Sequence, residues 1–293
     1  MVHVYTLNIR DGTVTTELSA NAPTKFIEAN GIKYAYRRLG QPNGVPLVFL
    51  QHFTGTMDGW DPLVVDGLAK ARPVILFDNA GVSRSGGTTP DNVPAMANDA
   101  VAFITALGLK QVDLLGFSLG GFVAQVIAAE HPDLVRRVIL AGTGPEGGEG
   151  IGNLPQVLEQ AQRNSPSELR LFLFFEQTDT SQGAGRGFIK RQAQRTTDRD
   201  PESSPQTVGA QATAIVAWGS DGNARSTRRL QRITQPVLIV NGKNDIMVPT
   251  INSYGLFQEL PDARLTLYPD SGHGGLFQYA ESFVNEGVRF LGE

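Results

Sequence analysis

The chain has 293 residues and no cysteine. It is 41% hydrophobic and 18% charged, which suits a large buried core and excludes a disordered chain. Its 25 Lys and Arg against 29 Asp and Glu leave a formal net charge of −4, which argues against a dedicated nucleic-acid binder; such proteins need dense positive charge to displace counterions from phosphates. Without thiols there are no disulfides, no Cys-ligated zinc, no iron–sulfur cluster and no thiol catalysis.

Met1-Val2-His3-Val4-Tyr5 lacks a basic region followed by an apolar run, and no stretch approaches the ~20 apolar residues of a spanning helix. A cytoplasmic protein with no membrane partner is expected. Residues 1–24 are polar and carry no assignable role. Lys25–Ala29 and Ile32–Leu39 flank Asn30-Gly31, a strong hairpin signal, so the sheet is predicted to begin with an antiparallel pair. Short apolar runs follow at Leu47–Leu50, Val74–Phe77, Val112–Leu115, Val138–Leu140, Val237–Val240 and Leu265–Tyr268. Runs of this length and composition read as strands buried on both faces.

Segments of helical spacing separate these strands. In 94–107, Met96, Ala100, Phe103 and Leu107 fall on one stripe, with Asn98, Asp99 and Thr105 elsewhere. The alternation predicts an α/β fold: a mostly parallel sheet with helices on both faces. From about Glu146 to Arg232 no buried-strand run occurs, and helices are predicted over roughly 153–163, 166–177, 185–196 and 205–218. The expected organisation is a core of 1–145 and 233–293 carrying a helical cap, 146–232, over the C-terminal edge of the sheet. Open α/β sheets bind their ligands at that edge.

Gly116-Phe117-Ser118-Leu119-Gly120-Gly121 follows the strand ending at Leu115 and opens a helical segment from Phe122 to Glu130. A nucleophile elbow needs this context: Ser on a tight strand-to-helix turn, with glycine two positions to either side. A serine hydroxyl also needs a base. Of the four histidines, His3 lies in the polar start and His131 precedes Pro132 at the far end of the elbow's helix. His273 sits in a glycine-lined loop after the last strand, at the predicted C-terminal edge. The acid that orients the imidazole is assigned to Asp245, which follows the strand Val237–Val240. Asp270, three residues from His273, is poorly placed to brace its ring, and the position after strand 138–141 offers no acid. The order Ser118…Asp245…His273 differs from the two protease orders. Oxyanion donors are expected from the Leu119 N–H and from the loop Gln51-His52-Phe53-Thr54-Gly55, through the Phe53 N–H.

These motifs resemble the α/β-hydrolase family, in the cofactor-free group of carboxylesterases, lactone hydrolases, carbon–carbon bond hydrolases and perhydrolase-like enzymes. The resemblance spans about residues 25–292. It rests on the elbow, the Asp245 loop, Gly272-His273 and Asp78…Gly81…Ser85, which matches the family's D-x-x-G-x-G-x-S turn except for Ser83 in place of a glycine. A second departure is Gln51-His52, where the family commonly has His-Gly. His52 either braces the loop or touches substrate. Serine at 118, where dehalogenases and epoxide hydrolases of this fold use Asp, implies acyl chemistry; no metal-ligand set is present.

The expected partner is a small-molecule substrate, a mainly apolar ester or lactone. His52, Trp60, Phe117, Phe172, Phe175 and Trp218 are candidates to line its pocket. Arg186, Lys190, Arg191, Arg195, Arg199, Arg225, Arg228, Arg229 and Arg232 are read as a solvated face, with an anionic-substrate clamp as the alternative. A lyase, perhydrolase or carbon–carbon hydrolase on the same triad, or a non-enzymatic receptor, stays open as an alternative.

Overall fold

The computed structural model describes residues 18–162, 166–220 and 223–293; His3 lies outside the described residues. Among the described residues eight strands form one sheet: β1 (Lys25–Ala29), β2 (Ile32–Gly40), β3 (Leu47–Leu50), β4 (Pro73–Phe77), β5 (Val112–Phe117), β6 (Val135–Ala141), β7 (Val237–Gly242) and β8 (Ala263–Tyr268). Their order is β1-β2-β4-β3-β5-β6-β7-β8. β2 is antiparallel to β1 and β4, and all other pairs are parallel. This is the predicted α/β architecture. Asn30 and Gly31, with φ of 49° and 74°, make the tight turn between β1 and β2, where both central residues must be left-handed.

The helices are α1 (Pro62–Ala69), α2 (Val93–Ala106), α3 (Leu119–Glu130), α4 (Leu154–Ala161), α5 (Pro166–Phe174), α6 (Asp179–Gln192), α7 (Pro205–Ser220), α8 (Asn223–Leu230), α9 (Ile251–Glu259), α10 (Gly275–Gln278) and α11 (Ala280–Gly292). Among the described residues no helix is long and apolar enough to cross a membrane. In α2 the Asn92 side chain accepts from Ala95 N–H, and Met96, Ala100 and Phe103 are buried while Asn98 is exposed.

Among the described residues five helices, α4–α8, lie between β6 and β7, where four were expected. α8 carries no sequence signal, because Asn-Ala-Arg-Ser-Thr-Arg-Arg-Leu has no apolar stripe. α6 starts six residues before its predicted start, at a Thr178 cap that accepts from Ser181 N–H; Gly183, Gly185 and Gly187 dilute its helical signal. A Cβ on Gly185 would come 2.6 Å from a Leu171 methyl and 2.8 Å from the Phe175 ring, so a larger residue there would require those side chains to shift.

The helical segment is tied to the sheet by buried charge. Arg37 of β2 bonds Asp58 at 2.5 Å and Asp200 at 2.8 Å, and its side chain is only 1% exposed. Arg191 grips Asp61 through two bonds of 2.8 and 2.6 Å, and Arg195 lies 3.5 Å from Asp58. These two arginines therefore correct the solvated-face reading: Arg195 is buried and Arg191 turns inward. Arg229 likewise pairs with Glu146, and lies over the Trp218 ring.

Candidate active site

The parallel register aligns the strand ends: Leu50 with Gly116, Phe117 with Ala141, Ala141 with Val240, and Gly242 with Tyr268. The loops after β3, β5, β6, β7 and β8 therefore leave from one edge, as open α/β sheets require of a ligand site.

Ser118 stands between β5 and α3 with φ 55° and ψ −118°, a conformation costing a non-glycine residue about 1–3 kcal/mol. Three hydrogen bonds hold it there. Its N–H donates to Ala141 O at 2.9 Å, while its carbonyl accepts from Gly121 N–H and from the Thr143 hydroxyl, each at 2.8 Å. The flanking glycines serve close approach. A Cβ on Gly116 would lie 2.4 Å from Gly120 O, and one on Gly120 would lie 2.0 Å from Leu50 O. The second contact presses the end of β3 against the first turn of α3. That brings the start of the 51–55 loop beside the first turn of α3, with Gln51 O 2.9 Å from where a Gly120 Cβ would lie. No local sequence signal marks Thr143, since its role depends on a hydroxyl reaching across from the end of β6 to the Ser118 carbonyl.

His273 Nδ1 lies 2.7 Å from Asp245 Oδ2, with both side chains buried at 1% and 0% exposure. A carboxylate can only accept, so Nδ1 carries the proton and Nε2 is left as a base. The other Asp245 oxygen accepts from Met247 N–H at 2.8 Å and Val248 N–H at 3.0 Å. Those bonds fix the carboxylate's plane and shape the turn leading to α9. Asp270 bonds the Thr178 hydroxyl at 2.8 Å, and His131 closes α3 at the end remote from Ser118.

Rings join these loops. Phe117 lies 4.8 Å from His273 and 5.3 Å from His52, centroid to centroid. Phe174, at the end of α5, completes two triangles, 5.6 Å from Phe117, 5.5 Å from His273 and 5.5 Å from His52. Its carbonyl accepts from Gly274 N–H at 2.7 Å, directly after His273. Phe174 is not among the pocket residues expected from the sequence; in the uninterrupted apolar run Leu171-Phe172-Leu173-Phe174-Phe175 nothing local distinguishes it. Phe175 instead packs on Phe188 at 5.8 Å, and Phe172 is half-buried. Trp60 meets Phe117 at 6.1 Å and Phe49 at 4.8 Å. Trp218 stacks on Phe122 at 5.1 Å and donates to Gly144 O.

His52 Nδ1 is 2.9 Å from Phe53 O. Burial, aided by the charges of Arg170 and His273 and opposed by that hydrogen bond, pushes its pKa down to about 3. It is therefore a neutral donor that holds the Phe53–Thr54 peptide. Thr54 is left-handed, with φ 59°. Its N–H donates to Gln211 Oε1 at 2.7 Å, and its carbonyl accepts from the Ser203 hydroxyl at 3.0 Å. These two braces come from α7 and the segment before it, about 150 residues away, and no local signal announces them. Ser83, with φ 51°, shows why glycine is usual there, and the Ser85 hydroxyl donates to Asp78 O at 2.6 Å.

The family model of the alpha/beta hydrolase fold matches residues 45–279. The chain belongs to that family. An alpha/beta hydrolase fold protein from Chitinophaga pinensis is 49% identical, with 94% of this chain and 99% of that one covered and a TM-score of 0.91. The 2-hydroxy-6-oxononadienedioate/2-hydroxy-6-oxononatrienedioate hydrolase of a Pseudomonas species is 26% identical over 85% of this chain and 89% of its own length. Est816, an N-acyl homoserine lactone degrading enzyme, is 26% identical with a TM-score of 0.70, covering 90% of this chain and 99% of that one. The protein is an enzyme of the α/β-hydrolase fold.

Proposed function

We propose that the enzyme hydrolyses a small, mainly apolar carboxylic ester or lactone by two-step acyl transfer, without a cofactor. The observation carrying this reading is the buried Asp245–His273 hydrogen bond, at the same sheet edge as the strained Ser118 turn. Ser118 Oγ attacks the carbonyl as His273 Nε2 takes its proton. The oxyanion accepts from the Phe53 and Leu119 N–H groups. His273 then protonates the leaving oxygen and, as base again, activates water to release the acid. Asp245 keeps the imidazole in the required tautomer. Residues 146–232 act as the cap, and the rings of His52, Phe117 and Phe174 form the apolar wall over the acyl group. The likeness to ester- and lactone-cleaving relatives supports the substrate class.

Burst kinetics on p-nitrophenyl acetate test the reading. The wild type is expected to release one equivalent of nitrophenol rapidly per active site, and a folded Ser118→Ala variant none. Turnover that survives this substitution, or that requires peroxide, would reject it.

A further inference from the structure

The loop after β3 contains a turn that its own residues disfavour. Gly55 N–H donates to His52 O at 2.9 Å, closing a four-residue turn over 52–55. Thr54, the third residue, has φ 59°, whereas Phe53, the second, is not left-handed. That combination is a type II turn, whose third position ordinarily holds glycine or asparagine. A β-branched threonine there is an outlier. Turning the Phe53–Thr54 peptide over would give a type I turn, with the same closing bond and Thr54 at an unstrained negative φ. Local energetics favour the turn that is not observed.

Contacts across the peptide reverse that preference. On one side the Phe53 carbonyl accepts from His52 Nδ1–H at 2.9 Å; on the other, Thr54 N–H donates to Gln211 Oε1 at 2.7 Å. Turning the peptide over exchanges its N–H and C=O and breaks both bonds. Gln211 is fully buried on α7, and among the described residues its Nε2 has no hydrogen-bond partner. An apolar side chain of similar length would fill the place without burying an unpaired donor, so the bond to Thr54 is what glutamine adds there. α7 gives that bond a fixed origin. Thr207, four residues earlier on the same face, donates to Gly81 O at 2.9 Å, and Gln206 Nε2 donates to Thr89 O at 3.0 Å. The residues just before α7 pin the far end of the loop as well: Asp200 N–H donates to Asp58 Oδ2 at 2.7 Å, and Asp58 N–H to Asp200 Oδ2 at 3.1 Å.

We propose that Gln211 is a positioning residue for the oxyanion loop: from α7 it holds the Phe53–Thr54 peptide in the type II orientation, the loop shape in which the Phe53 N–H meets the developing oxyanion. It acts through Thr54 and not on the substrate. This assignment rests on the ester-hydrolysis reading given above, in which that N–H is a donor to the oxyanion. It makes α7 part of the reaction geometry, because a loop released from Gln211 relaxes toward the unstrained turn.

In stopped-flow assays with p-nitrophenyl acetate, Gln211→Met is expected to slow the acylation burst about tenfold, while the ester concentration that half-saturates it stays within about twofold. Thr54→Gly supplies the deciding background, because glycine holds a positive φ without strain. There the same Gln211→Met substitution is expected to slow the burst about threefold or less. An equal loss in both backgrounds would assign Gln211 to the packing of α7 alone and overturn the proposal, as would an unimpaired Gln211→Met. Ser203→Ala removes the donor to Thr54 O and leaves α7 intact; it is expected to give a smaller loss with the same relief by Thr54→Gly, and carries the cycle if Gln211→Met does not fold. No relief in that pair also overturns the proposal. Amide hydrogen exchange reads the loop without substrate. The Thr54 N–H should exchange about tenfold faster in Gln211→Met than in the wild type, with Ala214 and Ile215 of α7 unchanged. An unchanged Thr54 rate overturns the assignment whatever the chemistry. A burst that survives Ser118→Ala rejects the ester-hydrolysis reading instead, and the exchange result still decides the role of Gln211.

Discussion

Around Ser118 the chain is fixed by backbone meeting backbone, whereas α4–α8 are fixed to the sheet by charges and rings. At the sheet edge, Gly116 packs on Gly120 O and Gly120 on Leu50 O, with no room for another atom. Across the helical segment, Arg37 joins Asp58 and Asp200, and Arg191 joins Asp61. The difference is one of failure mode. A close-packed edge fails when an atom is added, and a buried ion network fails when one partner is removed. The edge sets the reaction geometry. The network holds the segments around Arg191 and Asp200 against β2 and the 58–61 stretch.

The contrast can be broken first at the edge. Gly120→Ala places a methyl group 2.0 Å from a carbonyl oxygen that cannot move without shifting β3. The expected outcome is failure to fold, or a loss of about 100-fold or more in esterase kcat with a lowered melting temperature, since a small misplacement of reacting groups costs that much. A variant as active and stable as wild type would remove the steric account of the elbow.

In the network, Arg37→Met leaves Asp58 and Asp200 without their main cation, at an expected cost of about 3–5 kcal/mol in denaturant unfolding. Its pH dependence sharpens the comparison. Burial, only partly offset by Arg37, pushes the Asp200 pKa up to about 6, so the folded state favours the protonated acid. Folding then binds more protons than the unfolded chain, with its usual carboxylate near 3.9, between pH ~4 and ~6. The stability contributed by Asp200 is complete at low pH and is lost as pH rises through that window. Arg37→Met should steepen the loss, making the variant weaker at pH 8 than at pH 5 by a wider margin than the wild type. A parallel shift at both pH values would contradict the charge account.

The smallest expected effect is that of His52→Gln. The imidazole, with a pKa of about 3, is uncharged throughout the working range, so its loss should move neither limb of the pH–rate profile. What falls is kcat, by about tenfold, because the Phe53–Thr54 peptide loses its Nδ1–H donor. A displaced acid limb would make His52 a titrating participant instead.

The same division explains what the sequence makes legible. The strands announce themselves because Leu47–Leu50 and Val237–Val240 are buried on both faces and leave an unbroken apolar run. The elbow is legible because its glycines answer a local requirement. Phe174 is not, since only the fold decides which residue of Leu171–Phe175 turns toward His273. Arg195 looks like surface charge in a helical repeat, and only the position of Asp58, far away in the chain, makes it a buried partner. Gln211 and Ser203 support Thr54 from α7 and the segment before it, for the same reason. Local chemistry can be read along the chain; contact between distant segments cannot.

Mass spectrometry of the protein after reaction with a fluorophosphonate tests the central claim most directly. The account predicts a single adduct on the peptide carrying Ser118, formed far more slowly in Asp245→Asn, where the imidazole loses its carboxylate partner. An adduct on another residue, or equal labelling of a folded Ser118→Ala protein, would contradict it.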